Sequence, residues 1–345
     1  MEPFAALARV YSCAGMSCRR GEKQRPDPMV EQMNILRSLK RFGSLALLGA
    51  VMTAAGCGGS DGDGSPGSGT LSLQITDAAV DSAEHVYIQF SGLEIQAAGG
   101  MRTTLYYCQD PADPTKTLVS QTPCTTLPAP KRLDLLMLSG GLAEVLLNQF
   151  TLPSGHYAWI RLMVDTAGTR DSYIVVGGVE HELEIPSGDE TGLKLNRGFN
   201  VPAGGSADFT IDFDLRKSVH LTGTGEYLLR PTLRLADNTL TGAIAGTVNA
   251  ALVPAGCTPA VYVFEGGGVT PDDIDGTPAD PVTTAPVKLD SGTYKYKAAF
   301  LEAGTYTVAY TCQAALDDPG VNDALAFSGA ATVPVAAKTN TVHDF

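Results

Sequence analysis

The stretch Ala207-Asp-Phe-Thr-Ile-Asp-Phe-Asp-Leu215 decides the fold. Phe209, Ile211, Phe213 and Leu215 alternate with Asp208, Thr210, Asp212 and Asp214. A period of two puts the apolar set on one face of a strand and the polar set on the other, where a helix would scatter both. The same habit recurs on either side. Val179, Leu183 and Ile185 alternate with Glu180, Glu182 and Glu184, and Val86, Ile88 and Phe90 share a face. Leu93 and Ile95 resume out of phase beyond Gly92, as a β-bulge requires. Helical spacing is nearly absent, and only Leu142 to Asn148, after Gly140-Gly141, reads as a short helix. Many short strands between Gly, Pro and Asp predict antiparallel sheets, wet on one face, packed as a sandwich.

A boundary falls near 237–242. Beyond it, Gly242-Ala-Ile-Ala-Gly-Thr-Val248 opens a second run of strands. The run continues through Ala260-Val-Tyr-Val-Phe264, Gly292-Thr-Tyr-Lys-Tyr-Lys297 and Ala303-Gly-Thr-Tyr-Thr-Val308. The opening Gly242, Ile244, Gly246, Val248 pattern, with Gly292-Thr-Tyr294 and Tyr306-Thr-Val308, resembles the transthyretin-like sandwich found beside carboxypeptidase domains and in bacterial surface proteins. That resemblance implies a fold and no activity. Five segments of the first half also belong together: Gly69-Thr-Leu-Ser-Leu-Gln-Ile-Thr-Asp77-Ala, Val86-Tyr-Ile-Gln-Phe, Leu133-Asp-Leu-Leu, Leu152-Pro-Ser-Gly155-His-Tyr157-Ala-Trp-Ile-Arg161-Leu and Asp214-Leu-Arg-Lys-Ser218. Together they resemble, over 69–236, the bacterial lipoprotein family of domain of unknown function 4382, which implies a lipid-anchored β domain with no assigned chemistry.

Upstream, Arg37, Lys40 and Arg41 precede the charge-free apolar run Phe42 to Ala55, and Ala54-Ala-Gly-Cys57 closes it. Basic, apolar, then small is the order of a secretory signal. The 14 apolar residues fall short of the roughly 20 that a spanning helix needs. Ala-Ala-Gly-Cys resembles the bacterial lipobox, which implies that Cys57 carries the lipid and becomes the first mature residue. Gly58 after that cysteine resembles enteric sorting toward the outer membrane. Met29 and Met33 are both candidate starts, and Met33-Asn-Ile-Leu-Arg gives the more typical n-region, so 1–32 are read as a start-site artefact or disordered, 33–56 as the signal peptide, and 57–69 as a flexible tether. Gly62, Gly64 and Gly67 match G-x-G-x-x-G, but no strand precedes them and no helix follows, so the match is excluded. The expected architecture is all-β: two β-sandwich-like domains, 70–238 and 240–345, behind a lipoprotein signal peptide and a Gly-rich tether.

Without residues 1–56 the chain has 16 Lys or Arg against 33 Asp or Glu, a net charge of −17. Phosphate binding runs on clustered cations, so nucleic acid is excluded as a partner. Four cysteines follow Cys57. The exported address permits disulfides, and pairing Cys108 with Cys124 and Cys257 with Cys312 keeps each bridge within one domain. Metal is the competing reading, but C-x-x-C spacing and a nearby histidine are both missing.

The chemistry-bearing candidates are few. His85, His156, His181, His220 and His343 lack a G-x-S-x-G elbow or a zinc signature around them. Asp272, Asp273, Asp275 and Asp280 sit in the Gly- and Pro-rich loop 266–281. Oxygen-rich loops bind calcium, but no Glu completes the shell, so a hydrated loop with no metal is expected. Asp212 and Asp214 share a strand face and have Arg161, Arg230 or Arg234 as candidate partners on neighbouring strands. Tyr157 and Trp159, read as side by side opposite Ile160, Leu162 and Val164, are the candidate ligand-binding aromatics. The functional expectation is a lipid-anchored envelope protein with no cofactor and no catalytic role, which binds or scaffolds an envelope polysaccharide or protein. The rival is a hydrolase of envelope or extracellular polymers using paired carboxylates such as Asp212 or Glu182, which would have to lie about 5 to 9.5 Å apart.

Overall fold

The computed structural model describes residues 67–345 apart from 79–82, 126, 166–170, 187 and 279. The readings made over 1–66, the signal peptide, Cys57 and most of the tether, lie outside the described residues. All described residues belong to one compact unit. Among them no helix is long and apolar enough to cross a membrane.

The deciding stretch forms the strand Ser206–Asp214. It lies in a four-stranded sheet ordered Leu233–Asp237, Ser206–Asp214, Ser68–Ala78, Glu144–Pro153. Ser68–Ala78 runs parallel to Ser206–Asp214, with Thr70 opposite Ser206 and Ala78 opposite Asp214, and antiparallel to Glu144–Pro153. Facing it is an eleven-stranded sheet built around His85–Ala97, which pairs with Gly155–Val164, Arg102–Gln109, Lys131–Asp134 and Tyr173–Val176. Leu71, Leu73 and Ile75 from one sheet and Val86, Ile88, Phe90, Leu93 and Ile95 from the other make the core, and none of the eight is exposed to solvent. The bulge at Gly92 is present: the register against Gly155–Val164 shifts between Phe90 and Gly92. A Cβ on Gly92 would sit 2.0 Å from the Leu105 carbonyl oxygen, so the neighbouring strand can pass only a glycine.

The expected helix at Leu142 to Asn148 is instead part of the strand Glu144–Pro153, preceded by a single 3-10 turn at Leu135–Leu138. The cause lies in the sheet. The pairing with Ser68–Ala78 slips between Leu71 and Leu73, and Gln149 takes a φ of 46°. That irregularity breaks the period of two: the adjacent Leu146 and Leu147 are both buried while Val145 is exposed, so the alternation that marks a strand is lost from the sequence.

A tight turn at Asp237, whose carboxylate accepts from the Thr239 amide and hydroxyl, leads into Thr241–Val248. This strand lies in a sheet ordered Lys288–Asp290, Thr293–Glu302, Thr241–Val248, Asn340–Val342. The sheet facing it is ordered Thr283–Pro286, Ala260–Glu265, Gly304–Thr311, Phe327–Val335. Ile244, Val248, Val261, Val263, Leu301 and Val308 fill the space between them. The glycines of the opening motif have a physical role: a Cβ would meet the Ala336 carbonyl oxygen at 2.3 Å from Gly242 and the His343 carbonyl oxygen at 1.7 Å from Gly246. Both let the C-terminal segment lie directly on the strand. Ala260 to Phe264 are buried on both faces, because Tyr262 and Phe264 point away from the sandwich core into a second cluster with Ile274, Ala309 and Ala314. The acidic loop therefore acts as a cover for the outside of this sheet.

Candidate functional site at the seam between the sandwiches

Asp214 ends its strand and starts the one-turn helix Leu215–Ser218, its carboxylate accepting from the Lys217 amide at 3.2 Å. That turn presents three side chains in different directions. Leu215 enters the first core, and Arg216 and Lys217 reach the second sandwich. The buried Arg216 guanidinium donates to the Tyr262 hydroxyl at 3.0 Å and the Ala314 carbonyl at 2.8 Å, and lies 3.5 Å from the Asp317 carboxylate. Lys217 donates to the Pro281 carbonyl at 2.6 Å. On the next strand Arg234 binds Asp212 at 2.5 Å and donates to the Phe300 carbonyl at 3.0 Å. The Asp214-Leu-Arg-Lys-Ser218 motif thus keys one sandwich to the other.

Burial dominates the electrostatics behind the seam. Asp77, beside Asp214 across the parallel pair, has its carboxyl pushed well above the usual range by burial and then by the charges of Asp214 and Asp212. Burial also raises Asp214, to about 6, against the opposing pull of Lys217. In front of the seam, Tyr262 donates a very short hydrogen bond to Asp317, whose other oxygen accepts from the Ile274 amide at 3.1 Å. Asp273 accepts from the Asp323 amide, and Asp323 accepts from the Asp318 amide at 2.8 Å. Asp273, Asp317 and Asp323 each bring a carboxylate oxygen within 4.8 Å of the others. Reading loop 266–281 alone missed Asp317 and Asp323. The run Asp317-Asp-Pro-Gly-Val-Asn-Asp323, a second acidic turn, was the available signal.

The other candidates separate. Tyr157 is not a surface aromatic. The pairing with His85–Ala97 slips between Gln96 and Ala97, which inserts Ala158 as an extra residue and turns Tyr157 into the core, 3% exposed and stacked on Phe199. Trp159 stays half-buried, its ring flanked by Arg161 at 5.3 Å and Lys194 at 4.6 Å. Both expected disulfides are formed, with Cα separations of 5.4 Å for Cys108–Cys124 and 4.9 Å for Cys257–Cys312. Of the cations offered to Asp212, Arg234 is the partner, while Arg161 pairs with Glu94 at 2.9 Å. Asp212 and Glu182, the rival's carboxylates, sit in different sheets. Glu182 instead lines an open acidic cleft of about 420 Å³ with Glu184, Glu226, His181 and Tyr227. Among the described residues no histidine hydrogen-bonds a serine or cysteine; His85 meets Asp134 at 2.6 Å and His156 meets Asn200 at 3.0 Å.

A groove of about 600 Å³ lies on the outer face of the second sandwich. Its floor is the small residues Ala245, Gly246 and Thr247, and Lys288, Lys295 and Lys297 stand around it, with Gly140 of the first sandwich at the rim. Lys288 is held by the Ser139 hydroxyl at 2.8 Å and Lys295 by Asp290 at 2.8 Å. Lys297 pairs with no carboxylate among the described residues. Asp344 also lines the groove and Asp290 holds Lys295, so three lysines against these two acids leave a small local excess of positive charge on a strongly acidic protein.

Fold and site together define an all-β protein of two sandwiches keyed through a buried arginine. Residues 68–231 match the family described as Domain of unknown function (DUF4382). No curated protein matches the chain in sequence. Among solved structures it is similar to the TIE protein of Bacillus anthracis, at 11% identity and a TM-score of 0.18, over 81% of this chain and 34% of that one. It thus spans about a third of that protein's length. It is also similar to the minor pilin GBS52 of Streptococcus agalactiae, at 9% identity and a TM-score of 0.18, over 80% of this chain and 94% of that one. A candidate cell adhesion protein of Bacteroides fragilis is similar at 8% identity and a TM-score of 0.22, over 81% and 91% of the two chains. Similarities at these scores carry no argument about this chain.

Proposed function

We propose that the protein is a lipid-anchored component of the cell envelope, held in the outer membrane through Cys57, that binds an acidic envelope polysaccharide and does not catalyse. The observation that carries this reading is the groove over Ala245, Gly246 and Thr247. A floor of small side chains admits an extended chain, and the surrounding ammonium groups of Lys288, Lys295 and Lys297 suit carboxylates along it. Around the groove the net negative charge of the protein repels anions, so only a ligand that reaches the lysines gains. The lipobox supports the anchor, since two acyl chains hold a protein at a membrane where one is marginal. The resemblance of the second sandwich to transthyretin-like modules, which implies a fold and no activity, is in keeping with a binding role.

One set of cultures tests both halves. The full chain, labelled with palmitate and extracted in detergent, is passed over beads bearing a carboxylated polysaccharide or a neutral one. Retention on the acidic beads that falls at least tenfold in the Lys295→Glu, Lys297→Glu variant, and a label that vanishes with Cys57→Ser, are expected. Equal retention on both supports, unchanged by the lysine substitutions, overturns the ligand. Persistent label on Cys57→Ser overturns the anchor.

A further inference from the structure

The acidic cluster in front of the seam has a property that its position in a loop does not explain. Asp273 is only 1% exposed, and its Oδ1 is buried with no hydrogen-bond partner. Buried polar atoms are nearly always satisfied, and an orphan carboxylate oxygen is among the costliest to leave so. The Asp323 amide holds the other oxygen of Asp273 and turns this carboxylate toward those of Asp317 and Asp323. Three carboxylate oxygens mutually within 4.8 Å repel one another unless something positive lies among them. The Arg216 guanidinium, 3.5 Å from Asp317, is already shared with Tyr262 and Ala314.

We infer that Asp273, Asp317 and Asp323 form a binding site for a calcium ion that ties the loop carrying Asp273 to the loop carrying Asp317 and Asp323. An all-oxygen donor set on two turns, with no nitrogen or sulfur ligand, selects a hard cation, and gathered flexible carboxylates suit calcium better than the stricter octahedron of magnesium. The neighbouring acids are otherwise employed. Asp280 accepts from the amides of Asp275 and Gly276, and Asp275 accepts from the Thr277 amide and the Asn322 side chain. They shape the turns and leave Asp273 as the loop's ligand. This departs from the expectation of a hydrated loop because two of the three ligands come from outside 266–281. The ion would pin the cover that shields Tyr262 and Phe264, next to the arginine that joins the sandwiches.

The test uses the full chain, treated with chelator and then melted with and without millimolar calcium. Calcium raises the melting temperature by several degrees, as ligand binding to the folded state alone requires, and chelator reverses it. Asp273→Asn keeps the shape and removes one of the crowded charges, so this variant melts above the wild type in chelator and no longer responds to calcium. A second readout does not depend on stability. Terbium added in place of calcium gives luminescence on tyrosine excitation, because Tyr262 hydrogen-bonds Asp317, and Asp323→Asn lowers that signal at least tenfold. No calcium shift and no terbium signal in the wild type, or a shift that survives both substitutions, overturns the site.

Discussion

Leu152-Pro-Ser-Gly155-His-Tyr157 in the first sandwich and Leu301-Glu-Ala-Gly304-Thr-Tyr306 in the second end one strand and begin the next in the same way. Each tyrosine is buried and its hydroxyl donates to the carbonyl four residues back, at 2.7 Å to Pro153 and 2.9 Å to Glu302. Burial raises both phenols above their ordinary range. The surroundings differ. Tyr157 faces Phe199 on the inner side of a bulged strand, whereas Tyr306 starts a strand whose next five residues are all buried, because a loop covers its outer face. The same turn has been fitted to two kinds of sheet. The tyrosine in it belongs to the turn, which is why Tyr157 makes a poor candidate for holding a ligand.

The sharpest way to break that equivalence is to remove the rings. Tyr157→Ala and Tyr306→Ala should each cost about 3–5 kcal/mol, the usual loss for a buried aromatic, in urea unfolding. A large loss at one position with a small one at the other would show that the turns are alike in shape alone. The disulfides come next. Cys257 and Cys312 are 55 residues apart and Cys108 and Cys124 are 16 apart. Replacing the longer-range pair by serines should cost about 4 kcal/mol and the shorter-range pair about 3 kcal/mol if loop closure sets the difference. A reversed order would place the second sandwich's stability elsewhere.

Buried charge sharpens the contrast further. Asp214 has its carboxyl raised from 3.8 to about 6 in the folded protein, so the fold holds a proton there that the unfolded chain releases. Stability gained from that proton is complete below pH 4 and is lost as pH rises through 6. Against Asp214→Asn, which carries no such proton, the wild type should therefore weaken by up to about 3 kcal/mol between those limits. A difference independent of pH would mean that Asp214 is ionised throughout. The smallest effect is that of the hydroxyls alone. Tyr157→Phe and Tyr306→Phe each leave a carbonyl without its donor and should cost about 1 kcal/mol, read from the same urea midpoints.

What the sequence shows of this molecule follows the regularity of its strands. Ala207 to Leu215 and Val86 to Ile95 were legible because alternation and one glycine encode both the faces and the bulge. Leu142 to Asn148 and Tyr157 were misread for one shared reason. A bulge whose extra residue is not marked by glycine shifts the phase silently, so Ala158 and Gln149 give no warning. The polar face of Ser206–Asp214 was also less wet than alternation implies, since Thr210, Asp212 and Asp214 are buried behind Arg234 and the seam. Each cysteine pair could be assigned because both members lie within one run of strands. Asp273, Asp317 and Asp323 could not be grouped, because nothing in either loop records that the fold lays one against the other.

Ser68–Ala78, at the centre of its sheet, has a further consequence for how the chain reaches this structure. Its two neighbours, Glu144–Pro153 and Ser206–Asp214, both come far later in the sequence, and one of them pairs in parallel. Pairings between such distant segments form slowly, because the intervening chain must be ordered before contact rewards it. On the proposed export route the chain emerges from the membrane N-terminal end first, so Leu71, Leu73 and Ile75 appear on a strand with both edges open, and the residues that will close the second edge follow only near the end of the first sandwich. An unpaired apolar strand is a template for any other strand nearby. The interval before Asp214 emerges is when Ser68–Ala78 is most exposed to aggregation, and a holding chaperone of the envelope acting on it during that interval would raise the yield more than one acting later.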